Sequence, residues 1–476
     1  MIQTSHVFLT CEVFNFNRML NTLSFKLNKV SLLFVLLSLT FYGSFAYDLI
    51  RTDFTKLLIL YSALFFLFHK LVQITKWNFK LLVVAALLSR LVFLFAIPNL
   101  SQDFYRFIWD GRMILEMMNP YLYTPESFIE NGMFPFAQAQ ELYNGMGELN
   151  GSHYTNYPPI KQLVFAIAAL FTGESILGSA IVFRICIIMA DFGTLYFGTK
   201  LLERFKMPVH HIFWYLLNPL VIIELTGNLH FEGIMIFFLV WSLYLLHASK
   251  WKLAGAVLAI SISVKLVPLL FLPLFYKWFK TKYSLRILTG FYLIIGITSI
   301  ALFLPFYSWE FVQNYSQTVS LWFNKFEFNA SLYYLARAIG YAITGFNEIA
   351  TIGIIIPMMV VVVLFFMTFC RNNSSLEKLM TSMVLAGACY FFLSTTIHPW
   401  YIVTLLGLSL FTNYKFPLIW SFMVVLSYHA YANPDYQENL WIVGFEYLIV
   451  YGVFVWEVFL KGKNDEINFQ KLHLDL

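Results

Sequence analysis

Charge is what this chain has least of. Only 12% of its 476 residues are Asp, Glu, Lys or Arg, against about 25% in a soluble domain. That scarcity excludes an ordinary soluble fold. Cysteine is scarce as well: Cys11, Cys186, Cys370 and Cys389 are the only four, and none lies in a long polar loop. Neither a disulfide framework nor a metal cluster is expected. The signatures of nucleotide and hydrolase chemistry are missing: there is no glycine-rich phosphate loop, no GxSxG, no CxxC and no dinucleotide fingerprint. No nucleic-acid partner and no cofactor are expected; a divalent metal is left open without being indicated.

What the chain has instead is apolar length. It is 59% hydrophobic, with 52 Phe and a mean hydropathy of +0.70. Apolar runs recur across residues 30–460, so we expect an all-α polytopic integral membrane protein. Fourteen runs are read as spans: 30–47, 56–74, 80–97, 176–198, 211–227, 233–248, 252–264, 267–277, 286–305, 349–370, 377–394, 400–413, 416–432 and 440–460. The seventh and eighth are short and flank Lys265 and Pro268, so they read as a half-depth hairpin, and a bundle of about 12–14 transmembrane helices follows. Residues 1–29 and 461–476 are expected as cytoplasmic tails around one transmembrane domain, 30–460. The first run lacks a small-residue cleavage site and is read as a retained span; Met19 also opens a plausible N-terminus.

Charge orients the bundle. With the N-terminus in the cytoplasm, cytoplasmic segments collect 21 of the 31 Lys and Arg, while 16 of the 26 acids fall on the other face. That asymmetry is the positive-inside rule. The outer face then holds the two long loops, 98–175 and 306–348, where chemistry tends to sit. Within the first, residues 160–172 read as a helix dipping into the outer leaflet. No fixed-period repeat or matched pair of broken helices marks a transporter.

The densest charge lies in Ser101-Gln-Asp-Phe-Tyr-Arg-Phe-Ile-Trp-Asp-Gly-Arg112. On a helix, Asp103, Arg106, Phe107 and Asp110 share one face, with Ser101 a natural N-cap. A carboxylate here suits deprotonation of a sugar hydroxyl, and an Arg beside it suits a phosphate oxygen. The plainer reading is an internal Asp–Arg pair that fixes the loop. Asn119-Pro-Tyr121 offers an amide for hydroxyls and an aromatic face for a sugar ring, or else an interfacial aromatic belt. Tyr157 and Lys161 lie at a Pro-Pro helix start; Lys161 meets a phosphate or merely headgroups. His230 and Glu232 form a polar island between spans. Lys265 needs an anion, either a lipid-linked phosphate or an acid such as Glu232. His398, Trp400 and Tyr401 open another outward-facing span, where His398 could donate to a phosphate.

Together these motifs resemble the polyprenyl-phosphate-sugar-dependent glycosyltransferases of the GT-C superfamily, in the bacterial mannosyltransferase-like branch. The resemblance runs from about Arg51 to Leu460 and is strongest over 103–112 with Asn119-Pro-Tyr121. It implies a GT-C-like bundle whose outer-face loops carry short interfacial helices. It also implies an inner (plasma) membrane enzyme, facing the periplasm or exterior, that transfers a hexose from a polyprenyl-phosphate donor to a glycan or lipid acceptor with inversion. Asp103 takes the place of the base, with Asp110 as a second catalytic carboxylate. Arg106, Arg112, Lys161, Lys265 and His398 are the donor-phosphate candidates; Asn119, Tyr121, Tyr157, His230, Glu232, Trp400 and Tyr401 are the substrate-binding ones. No metal ligands are assigned. The family commonly has two adjacent acids where Gln102 and Asp103 stand, and a small Gly where Met117 and Met118 stand. The catalytic acid follows the third span here, so spans one and two read as an N-terminal addition. The alternative is a multispan transporter or flippase using Arg90, Arg184 and Asp191. The charge asymmetry predicts that a cysteine at Ser127 reacts with an impermeant reagent in intact cells. Reaction only after permeabilisation would overturn the orientation.

Overall fold

A computed structural model describes residues 29–433 and 435–461. The expected tails, with Cys11 and Met19, lie outside the described residues except at their inner edges. The chain is all-helical in plan. It opens with α1 (Lys29–Tyr47), α2 (Phe54–Thr75) and α3 (Phe79–Leu91). The first long segment, expected on the outer face and called the first outer segment for that reason, carries α4 (Asp103–Leu115), α5 (Pro125–Glu130), α6 (Ala139–Gly151) and α7 (Pro159–Thr172), and α8 (Ile176–Arg204) follows. Next come α9 (Phe213–Leu216), a π-helix Val221–Gly227, α10 (Glu232–His247), α11 (Trp251–Val264), a 3-10 segment Val267–Leu274, α12 (Phe275–Lys282) and α13 (Leu285–Phe303). The second outer segment holds α14 (Trp309–Asn324) and α15 (Leu332–Thr344). The chain closes with α16 (Ile349–Phe369), α17 (Leu376–Leu393), α18 (Ile402–Ser409), α19 (Phe416–Met423) and α20 (Leu440–Val455).

Each expected apolar run is occupied by helix, but they differ in length. Among the described residues seven helices are long and apolar enough to cross a membrane, or eight with one bent pair. Five further apolar helices are shorter. Seven or eight helices of spanning length and five shorter apolar ones thus fill the expected bundle of about 12–14, and chain chemistry shortens several runs. The third helix stops at Leu91, and residues 93–96 unwind into turns ahead of Pro98. The run 211–227 bends by 59°. The break falls at Asn218-Pro219, where proline removes a backbone donor and disfavours helix before it. Asn218 there caps Leu220 N–H and donates to Ser421 Oγ at 2.9 Å. The seventh and eighth runs are the short α11 and the 3-10 segment Val267–Leu274, joined through an extended Lys265.

Two buried cations hold the centre. Arg90 on α3 donates through Nε to Asp191 on α8 at 2.7 Å, both side chains fully buried. Its Nη1 reaches the carbonyls of Ala86 and of Leu216, so one guanidinium joins three helices. Arg184, about two turns before Asp191 on the same face of α8, donates to the carbonyls of Thr226, Gly227 and Leu94. It thereby satisfies the C-terminal carbonyls of the π-helix and of the unwound third run, groups that a helix end leaves without partners. These are the three charges that the transport reading would use, and each is engaged inside the frame.

Close approach also shapes the motif. A Cβ on Gly111 would stand 2.3 Å from the Phe165 carbonyl oxygen, so α4 and α7 pack backbone to backbone there. α4 ends in a Schellman turn, Met117 N–H to Ile114 O at 3.1 Å and Met118 N–H to Met113 O at 2.9 Å. Met117 holds φ 57° in it, the left-handed region in which glycine is at ease.

Breaking a buried ion pair by removing one partner strands the other charge. Asp191→Leu is expected to destabilise the protein by about 3–5 kcal/mol, and Arg90→Met with Asp191→Leu to recover most of that loss. Thermal unfolding of the purified variants in detergent checks both; a double variant as unstable as the single one would deny the pair its place in the frame.

Candidate active site

The site starts at the N-terminus of α4. The expected N-cap shifts by one residue. Gln102 stands at the cap without a side-chain bond, and Ser101 Oγ accepts the Asp103 N–H at 3.3 Å. Asp103 is thus the first helical residue, where the helix dipole favours a carboxylate. α6 breaks at Gly147, whose φ 74°, ψ 162° only glycine adopts readily. The break turns the last part of α6 so that Asn150 Nδ2 donates to Asp103 Oδ1 at 3.4 Å.

Behind Asp103 the other charges of the motif lock the loop. Arg106 Nε meets Asp110 Oδ1 at 2.9 Å, and Arg106 Nη1 donates to the carbonyls of Asn150 and His153. Asp110 Oδ2 accepts from Gln162 Nε2 at 2.9 Å. Arg112 donates to Gln138 Oε1 and to the Glu174 carbonyl. Asn119 Nδ2 donates to the Phe306 carbonyl and its Oδ1 accepts the Tyr121 N–H. Tyr121 is fully buried, donates to the Tyr157 carbonyl at 2.5 Å and accepts from Asn314 Nδ2 on its own carbonyl. It joins the first outer segment to the second.

The polar island after the π-helix is pinned from below. Glu224 accepts from Tyr428 at 2.6 Å and from Asn228 Nδ2 at 3.3 Å. Asn228 Oδ1 in turn accepts the Leu100 N–H at 3.2 Å, which sets the island beside the approach to Asp103. Leu229 carries φ 64°, and His230 N–H returns to the Glu224 carbonyl. The turn delivers His230 and Glu232 to the same side as Asp103.

These groups meet at a cavity of about 880 Å³. Asp103, Tyr157, Lys161, His230, Glu232, Lys265, His398, Trp400 and Tyr401 line it, together with Arg51, Asn150, Glu327 and Tyr431. One wall is a stack of rings. Trp400 lies between His230 and His398, with centroids 3.6 and 4.5 Å away, and Phe328 covers the far side of His398 at 5.0 Å. Phe328 is placed by an isolated parallel bridge: its N–H goes to the Thr395 carbonyl, and its own carbonyl accepts the Ile397 N–H at 2.7 Å.

The cations differ in what holds them. Lys265 forms an ion pair with Glu232 and lies 4.1 Å from the Tyr401 ring centroid. Arg51 lies 3.4 Å over the Tyr431 ring. Lys161 is buried and, among the described residues, has no ion pair. Its ammonium rests over the rings of Tyr157, Phe107 and Phe231 at 4.1, 4.9 and 5.3 Å. Burial pulls its pKa down to about 8, more than Glu232 and Asp103 hold it up. Burial likewise raises the Asp103 pKa, opposed by Lys161, Arg51 and the Asn150 bond and helped by Glu232. His398 is pushed down to about 3 by burial and by Lys265 and Arg51, and His230 well below its usual range by burial and the neighbouring lysines. Both imidazoles are neutral at physiological pH. Among the described residues no group of three His, Cys, Asp or Glu stands close enough to hold a metal ion.

The family model described as "Alpha-(1->6)-mannopyranosyltransferase, N-terminal domain" matches residues 43–280, half of the chain. The chain belongs to this family. Alpha-(1->6)-mannopyranosyltransferase B of Corynebacterium glutamicum is 26% identical over 155 residues, which are 31% of this chain and 24% of that protein. Alpha-(1->6)-mannopyranosyltransferase A of the same organism is 22% identical over 186 residues, 39% of this chain and 36% of that protein. The chain thus matches well under half the length of either relative. The expected resemblance to the mannosyltransferase branch of the GT-C enzymes is met by this membership.

Within the matched mannopyranosyltransferase segment lie Arg51, Asp103, Lys161, His230, Glu232 and Lys265. His398, Trp400, Tyr401, Glu327 and Tyr431 close the cavity from outside it. Of the residues singled out in the sequence, Arg106, Asp110, Arg112, Asn119 and Tyr121 do not line the cavity. Arg106 and Asp110 make the internal pair that was the plainer reading, and Lys265 finds Glu232, the acid named as its other partner. Sequence reasoning missed Arg51, Asn150, Glu224, Glu327 and Tyr431. One signal was present for Arg51: a lone arginine between the first two spans, on the face where the charge rule leaves few cations. It also shows that the first two helices, read as an addition, supply a cavity residue.

Proposed function

We propose that this protein is an integral-membrane mannosyltransferase that moves a hexose from a polyprenyl-phosphate donor to a hydroxyl of a glycan or lipid acceptor. The reaction takes place on the non-cytoplasmic face and inverts the anomeric centre. One observation carries the reading: the cavity brings together a carboxylate, Asp103, and an ammonium, Lys161, neither of which makes an ion pair among the described residues. A base and an anion seat are what glycosyl transfer from a phosphate requires.

In this reading the acceptor oxygen attacks the anomeric carbon from the side opposite the phosphate. The bond between that carbon and the phosphate oxygen breaks. The acceptor proton passes to Asp103, and polyprenyl phosphate leaves with its charge held by Lys161, with Lys265 beyond it. Asn150 occupies Oδ1 of Asp103 and leaves the other oxygen for the proton. The raised pKa makes Asp103 a stronger base than an exposed aspartate. His230 and His398, being neutral, serve as hydrogen-bond partners for hydroxyls or phosphate oxygens rather than as cations. Their Trp400 stack offers the flat apolar surface that suits a sugar ring. Fixed cations stabilise the leaving phosphate, so the mechanism calls for no metal.

Asp103→Asn is expected to lower turnover by about 10²–10⁴-fold while donor binding persists. Release of polyprenyl phosphate from a labelled donor measures it. Near-normal turnover in that variant would sink the assignment of the base.

Lys161 adds a pH dependence with a definite sign. The ammonium holds the donor phosphate only while protonated, so its contribution is complete below a pH of about 8 and is lost as the pH rises through that value. Apparent donor affinity should fall about tenfold per pH unit above it. Lys161→Arg, which stays charged, should flatten this limb. An unchanged limb in Lys161→Arg would assign the titration to another group.

A further inference from the structure

The ring wall of the cavity has a cation at each end. From Trp400 it runs one way to His230. The other way it runs through His398 and Phe328 to Tyr431, whose centroid is 5.8 Å from that of Phe328. At the His230 end stand Lys161, over the Phe231 ring, and Lys265, paired with Glu232. At the Tyr431 end stands Arg51, its guanidinium carbon 3.4 Å from the ring centroid. A guanidinium that close lies face to face on the ring, and its N–H edge remains for a planar anion. Asp103 feels both ends, since Lys161 and Arg51 each hold its pKa down against burial.

No acid of the protein takes up the charge of Arg51. The loop that carries it has two acids, and both are engaged elsewhere. Asp48 pairs with Lys56 at 2.5 Å, and Asp53 accepts the Lys56 N–H at 3.0 Å to cap α2. Among the described residues Arg51 makes no ion pair, and its Nε is buried without a hydrogen-bond partner. The loop is held beside the approach to Asp103 by Asn99, whose Nδ2 donates to the Phe45 and Leu49 carbonyls at 2.8 and 3.0 Å.

We infer that Arg51 is a second anion seat of the cavity, which binds a carboxylate or phosphodiester carried by the acceptor. Naming the occupant as acceptor rests on the glycosyl-transfer reading above. In that reading the donor has one phosphate, and the lysine end accounts for it. The donor sugar lies along the middle of the wall, and the attacking hydroxyl reaches Asp103 from the side opposite the phosphate. The cation at the far end of the wall then meets the acceptor. Arginine suits an anion with two oxygens in one plane, because its N–H groups form a fork that takes both.

The test uses the full chain in lipid nanodiscs and three acceptors on one scaffold. They are octyl dimannoside, the same compound with a carboxylate in place of the hydroxymethyl group of the sugar nearer the chain, and the same compound with a methyl phosphodiester on that group. Release of polyprenyl phosphate from a labelled donor gives kcat/KM for each. The wild type should favour an anionic acceptor over the neutral one by about 10–100-fold, as a charge-assisted contact would give. The anion with the larger gain names the group. Arg51→Gln should abolish the preference, and Arg51→Lys should keep part of it. Equal kcat/KM for all three acceptors in the wild type, or a preference that survives in Arg51→Gln, would overturn the seat. Loss of the preference in Lys161→Gln but not in Arg51→Gln would put the anion at the lysine end and overturn it equally. Calorimetric titration of the same acceptors into the resting protein needs no turnover. Anion-selective binding that Arg51→Gln abolishes, with no sugar transferred, would keep the seat and sink only the reaction assigned to the cavity. An unchanged gel-filtration profile confirms that each variant is folded.

Discussion

A charge withdrawn from water needs a partner, and that constraint organises this molecule more than any single contact. Most of its buried charges are partnered within the protein and become frame. Arg90 with Asp191 locks α3 to α8, Arg184 closes the loose carbonyls of two broken runs, and Arg106 with Asp110 fixes the first outer segment to α4. In a low-dielectric interior such pairs are costly to break, even where an apolar pair would serve stability as well. Lys161 and Asp103 are placed differently. Neither has a charged partner within hydrogen-bond reach among the described residues, and both face the same cavity. The frame engages its charges within the protein, and the cavity leaves these two facing its space.

The cavity is assembled from segments far apart in the chain, and short polar links register them. Asn228 joins the π-helix to Leu100 and hence to the start of α4. Asn150, carried by the glycine break in α6, reaches Asp103. The backbone pairing of Phe328 with residues 395–397 brings the second outer segment against the His398 and Trp400 rings. Each link is a hydrogen bond of modest net value. Their importance is geometric, because each decides which side chains face the same space. The broken, bent and π-helical stretches lie where this assembly happens, and the long regular helices lie away from it. Irregular backbone inside a membrane protein is tolerated where it lines a cavity or is buried in protein.

Much of this was legible in one dimension. The apolar runs located the long apolar helices, because burial in lipid or in the bundle demands a composition that the polar loops do not share. The charged motif at 101–112 drew attention to Asp103, and the polar island, Lys265 and the His398 segment all reached the cavity. What failed to show were the lengths of crossings and the division of labour within a motif. The third run stops as helix at Leu91, and the Leu94 carbonyl beyond it is met by Arg184, 90 residues away. Asp103 and Asp110 sit on the same helical face at the spacing expected of a working pair. Asp110 is consumed by Arg106 on its own helix and by Gln162 on α7, and only the packing of α7 against α4 brings in the second partner.

The sequence by itself determined that the chain is a polytopic helical membrane protein, where its long loops fall, and which segments hold charge worth explaining. Those properties depend on local composition, and composition is summed along the chain. Tertiary structure alone decided which charges are spent on each other and which remain free, and that Arg51, Asn150 and Glu327 join the site at all. Partnering is a property of distance in space. The residues that settle it for Lys161 and Asp103 come from α4, α6, α7, α10 and the loop between the first two helices, and no spacing along the chain records their meeting.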